Sequence, residues 1–131
     1  MIKSTLVTAT SISVPGLVYT SSTTGAPIGV GVSGQVSAIT TIALCNIGAP
    51  SAADETTNAV NVNIYLAKAG IGYKNYPADG TTNLIVSNLT VPAGETVFFN
   101  DERIILDSGD EIYVGTNAAN LLAVTVSSLP V

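Results

Sequence analysis

Hydrophobic and polar residues alternate with a period of two along most of this chain. Val60, Val62, Ile64 and Leu66 alternate with Asn61, Asn63, Tyr65 and Ala67, the pattern of a strand with one core face and one weakly polar face. Ile112 and Val114 alternate with Glu111, Tyr113 and Gly115, and Leu122, Val124 and Val126 with Ala123, Thr125 and Ser127. Turn-forming sequences separate the runs: Pro92-Ala93-Gly94-Glu95, Asp107-Ser108-Gly109-Asp110 and Thr116-Asn117-Ala118-Ala119-Asn120. The helical period hardly appears. The pattern predicts about eight or nine short strands, at 5–10, 16–20, 36–46, 60–68, 84–91, 96–100, 103–107, 111–115 and 121–127. Short strands at this spacing predict an all-β fold, an antiparallel two-sheet sandwich that is jelly-roll-like.

The run at 35–47 departs from simple alternation. Val36, Ala38, Ile42 and Leu44 share one parity, and Ile39, Ala43 and Cys45 the other. A strand apolar on both faces is covered on both, by a long loop or by another subunit. The expected organisation is one domain, with an extended N-terminal arm and first strands over residues 1–34 and a β-sandwich core over 35–131. The arm, rich in Ser, Thr and Gly and broken by Pro15 and Pro27, is the expected cover; it could equally lie on a neighbour. Two loops stand out: 48–58, a tip loop with room for one helical turn, and 69–83. In the second, Tyr73 and Tyr76 flank Lys74 and form a candidate recognition surface, since Tyr offers apolar area and a hydroxyl. The plainer reading of that loop is an exposed hairpin tip.

Composition narrows the function. Only 10% of the 131 residues are charged against 47% hydrophobic, where about 25% charged is usual. Ser, Thr and Asn therefore supply the surface polarity, which suits contact with neighbouring protein. A net charge of −5, with only Lys3, Lys68, Lys74 and Arg103 as cations, argues against nucleic acid as a partner. No apolar run is long enough to span a bilayer as a helix, and the N-terminus carries too many Ser and Thr for a signal-peptide core. The expectation is a chain assembled in a cytoplasm, or one whose signal has been removed.

Reaction chemistry finds little footing. Cys45 is the single cysteine and the chain has no histidine, so a thiolate nucleophile lacks its usual base; Cys45 reads as a small buried hydrophobe. Residues 29–34, GVGVSG, match a dinucleotide-binding pattern, with Asp54 some distance on. The β-branched residues that follow exclude the helix this pattern needs. Asp101, Glu102, Asp107, Asp110 and Glu111 lack the alternation of an EF-hand loop and read as turn and strand-end acids. Asn88-Leu89-Thr90 is a glycosylation sequon inside a predicted strand. No catalytic, metal or cofactor-binding residue is assigned.

The segments ITTIALCNIG (39–48), AVNVNIYLAKAG (59–70) and LTVPAGETVFF with RIILDSGDEIYVGTNAANLLAVTVS (89–99 and 103–127) together resemble a family of small β-sandwich virion proteins of tailed bacteriophages. The likeness covers about the last two thirds of the chain. It implies a non-enzymatic structural subunit, a capsid decoration or cement protein, with neck, tail or fibre-associated positions as alternatives. It also implies a virion location after assembly in the host cytoplasm. The implied partners are copies of the chain itself, as a trimer or higher homo-oligomer, and other virion proteins such as the major capsid protein. No nucleic acid, membrane or cofactor is expected. Ile39, Ala43 and Cys45 are the candidate interface. A surface carbohydrate-binding sandwich using Tyr73, Lys74 and Tyr76 is the alternative from a different class.

Overall fold

The period-two runs become strands, and among the described residues no helix forms. The computed structural model describes residues 2–21, 36–69, 71–72, 83–100 and 104–130. The strands are β1 (Ile2–Leu6), β2 (Gly16–Thr20), β3 (Ser37–Asn46), β4 (Val60–Ala67), β5 (Leu84–Val91), β6 (Thr96–Phe99), β7 (Ile104–Leu106), β8 (Glu111–Thr116) and β9 (Leu122–Pro130). They make two antiparallel sheets. One runs β1-β9-β3-β6 with β7 also on β3; the other runs β2-β8-β4-β5. The all-β sandwich read from the sequence is the fold observed.

The pairing is nested. β4 pairs with β5, β3 with β6 and β7, β2 with β8, and β1 with β9. The chain is thus one long hairpin rolled so that successive pairs fall in alternate sheets, which is jelly-roll topology. The turns supply the required backbone. Gly94 and Gly109 have φ of 76° and 84°, and each is the third residue of a turn closed by Glu95 N to Pro92 O or Asp110 N to Asp107 O, both 3.1 Å. A positive φ there is what a type II turn demands of its third residue.

Between the sheets lie the apolar members of each alternation: Val60, Val62 and Ile64 of β4, Ile112 and Val114 of β8, and Leu122, Val124 and Val126 of β9, all buried. Tyr19 reaches across from β2 and donates from its hydroxyl to Ser128 Oγ of β9 at 3.0 Å. Among the described residues every buried side-chain nitrogen and oxygen has a hydrogen-bond partner, as a well-packed interior requires.

One β3 expectation is corrected. Ile39 pairs with Ser128 and Thr41 with Ser127, so Thr40 is an extra residue in a β-bulge. A bulge inverts the parity beyond it. Ile39 therefore joins Ile42 and Leu44 in the core at 2% exposure, while Ala38, Ala43 and Cys45 occupy the opposite face as half-buried residues. Of the expected covering segment, the described part lies on the other sheet. Residues 2–21, the described part of 1–34, supply β1 and β2, and the link between them crosses the outer side of β4 and β8. There Ile12 O accepts from Tyr65 Oη at 3.1 Å and Asn63 Nδ2 at 3.3 Å. It rests so closely on Gly115 that a Cβ would lie 2.6 Å from Ile12 O.

Boundaries shift at three places. The first strand is Ile2–Leu6 rather than 5–10, and its contact with β9 carries on one residue further through Val7 N to Leu122 O at 2.9 Å. β9 runs beyond residue 127 because Ser128 points inward to Tyr19. The 48–58 loop holds turns and no helix; Asp54 accepts from Thr56 N at 2.9 Å and Thr56 Oγ1 at 2.7 Å.

Candidate interaction surface

The outer face of the β1-β9-β3-β6 sheet is built from the second residue of each alternation. Its register places Leu6, Ala123, Cys45 and Thr96 in one row and Ser4, Thr125, Ala43 and Phe98 in the next. A third holds Ile2, Ser127 and Thr41, and a fourth Leu129, Ala38 and Ile105. Ser4 and Thr125 hydroxyls meet at 3.1 Å. Not one of these residues is charged. Lys3 lies in the Val126 row, whose β9 member is buried in the core, so it points away from this face.

Large side chains stand on the rim of the small-residue centre. Ile2, Phe98, Leu129 and Ile105 are 73%, 60%, 58% and 56% exposed, well beyond what a solvated strand face needs. Single exposed hydrophobes are ordinary, whereas several on one uncharged face mark a contact surface. The charged residues described elsewhere sit in loops, in turns and on the other sheet: Asp54, Glu55, Lys68, Glu95, Asp107, Asp110 and Glu111.

Of the candidate interface residues, Ala43 and Cys45 lie on this face and Ile39 does not. Phe98, Ile105, Leu129 and Ile2 were not singled out from the sequence. β6 and β7 are too short for their alternation to show which way Phe98 or Ile105 points, and Leu129 lies past the expected strand end. Tyr73, Lys74 and Tyr76 lie outside the described residues, as do the GVGVSG motif, Asp101 and Glu102.

The other acids hold the fold together. Lys68 Nζ donates to Asp107 Oδ2 at 3.0 Å and Asp110 Oδ2 at 3.1 Å. Asp110 also accepts from Ala69 N and Asp107 N, both at 3.1 Å. Burial pushes the Asp110 carboxyl up, but the Lys68 ammonium and the two amides outweigh it and hold the group below the usual carboxylate value. The hydrogen bonds from Lys68 to Asp107 and Asp110 raise its own pKa. Glu111 accepts from Tyr113 Oη at 3.3 Å. Among the described residues no group of three His, Cys, Asp or Glu side chains converges to hold a metal ion.

A second polar centre fixes the far end of β3. Asn46 Nδ2 donates to Asn58 O at 2.7 Å and Val91 O at 2.9 Å, and its Oδ1 accepts from Gly48 N at 2.8 Å. One buried carboxamide thereby ties β3, β5 and the 48–58 loop together.

Compared with family models, curated proteins and solved structures, the chain matches none of them. Two features thus bear on function: a jelly roll, and one uncharged outer face with a small-residue centre and an exposed apolar rim.

Proposed function

We propose that this chain is a non-enzymatic structural subunit of a tailed-phage virion, a capsid decoration or cement protein that packs through its outer β1-β9-β3-β6 face. The observation that carries the reading is that face. A jelly roll alone defines no function, since the same architecture serves capsid proteins, lectins and enzymes. Copies of an acidic chain repel one another, and a face without charges lets them meet with no like charges pressed together; the four rows from Leu6 to Ile105 provide such a surface.

Its size is adequate. Four strand positions at roughly 4.8 Å and nine residues at roughly 3.3 Å span about 570 Å² in projection. A standard interface buries about 800 Å² of accessible surface per partner, and protruding side chains make accessible area exceed projection. Ala43, Cys45, Thr125 and Ala123 let a second backbone approach closely, and Phe98, Leu129 and Ile105 ring that contact. The partners in this reading are further copies of the chain, as a trimer or higher ring, and the major capsid protein. The site of action is the virion, built in the host cytoplasm.

Cryo-EM of particles from the phage encoding this chain tests the assignment. Density for the jelly roll on the capsid lattice, with the β3 and β9 outer face against protein, supports it. Copies at the neck, tail or fibres would replace decoration with the other virion role. Absence from the particle would overturn both.

A further inference from the structure

An apolar cleft of about 290 Å³ opens between the sheets, where β5 ends one and β6 with β7 ends the other. It is roughly twice the size of the 150 Å³ apolar cavity that stays dry and takes benzene. Ile39 and Ile42 of β3 and Ile64 and Leu66 of β4 line it, with Val86 and Phe99 among the residues toward its two edges. Every lining residue is aliphatic or aromatic.

Two irregularities border the cleft. β3 carries two short strands on one edge, β6 on Ile42–Cys45 and β7 on Ser37–Ile39, with the Thr40 bulge between them. On the facing sheet, β5 shifts register near Ile64 and Tyr65, so that Ile85 is skipped in the pairing and stands 47% exposed beside the cleft.

We propose that this cleft is a binding site for a neutral, slender apolar molecule of the alkyl-chain class. With each methylene taken at about the 30 Å³ of a water, the space suits roughly ten carbons. A ligand with polar groups inside would leave them unpaired, because no lining side chain forms hydrogen bonds. The headgroup is neutral on charge grounds. Among the described residues the cation nearest in sequence to the lining is Lys68, two residues beyond Leu66; it is engaged by Asp107 and Asp110, and the chain is net acidic, so no described cation near the lining is free to meet an anionic head. This site does not depend on the assembly role.

The test is methyl NMR of the full chain titrated with 1-decanol below its solubility limit, and in parallel with decanoate. Saturable shifts of the Ile39, Ile42 and Ile64 δ1 methyls, with Ile2 and Ile47 unmoved, are expected, and decanoate should bind at least tenfold more weakly. Val86→Phe, which fills the cleft, should weaken decanol binding at least tenfold while the spectrum stays dispersed. Should that variant fail to fold, Val86→Leu provides a graded loss. No saturable shift at the three core methyls overturns the proposal, as do equal shifts at Ile2 and Ile47, undiminished binding in the filled variants, or equal binding of decanoate.

Discussion

Tyr19 of β2 and Ser128 of β9 meet across the sandwich, the phenol donating to Ser128 Oγ at 3.0 Å with both residues buried. The bond joins the two sheets by side chains 109 positions apart in sequence. It also accounts for the end of β9, since Ser128 faces inward where a strand stopping at 127 would leave Tyr19 without this partner.

Tyr19→Phe should cost about 1 kcal/mol, the usual net worth of a neutral hydrogen bond. Urea denaturation of Tyr19→Phe, Ser128→Ala and the double variant measures it. The double variant should cost clearly less than the sum of the singles; strict additivity would mean the two groups do not interact in solution.

Gly115→Ala should destabilise by about 1–3 kcal/mol, because the added methyl meets the Ile12 carbonyl at a distance the backbone must yield to. The segment at 7–15 should give way before the strands. Faster hydrogen exchange at the Val14 amide, which bonds Ser11 O at 3.2 Å, with unchanged protection in β4 and β8, is the expected signature.

Acid should weaken the fold through Asp110. Its folded pKa is held below the unfolded value, so its contribution is fully present above about pH 4 and is lost as pH falls through the lower folded value. The raised Lys68 pKa works in the opposite sense: its contribution holds below about pH 10 and fades as pH rises through the folded value. Asp110→Ala should cost about 2 kcal/mol at neutral pH, since the carboxylate is buried and accepts three bonds. Asp107, exposed like Lys68, should matter far less. Denaturation midpoints between pH 7 and pH 3 check this: the Asp110→Asn variant should show a shallower acid limb than the parent.

The sandwich was legible because β4, β8 and β9 alternate cleanly and Pro92, Gly94 and Gly109 mark the turns. The outer face of β3 was legible only in part. Ala43 and Cys45 read correctly as a second apolar face of β3, but the same parity count placed Ile39 with them. A bulge such as the one at Thr40 is set by pairing to β9, a strand some ninety residues away, and leaves no mark on the alternation itself. Phe98 and Ile105 were missed for a related reason: strands of four and three residues are too short to fix a face by periodicity. The covering role of 7–15 depends on Gly115 letting the chain approach, and a single glycine in a strand does not name what lies against it.

The central claim, that copies meet through the outer β1-β9-β3-β6 face, is tested most directly by sedimentation equilibrium of the parent and of Ala43→Asp across a wide concentration range. Ala43 is half-buried on the strand surface between Thr125 and Phe98, so the substitution should leave the circular-dichroism spectrum unchanged. It would place a charge at the centre of the contact. The account predicts a parent that sedimentates as a discrete oligomer and an Ala43→Asp variant whose association is at least tenfold weaker. A parent that stays monomeric at the highest concentration, or a variant that assembles as well as the parent, would contradict it.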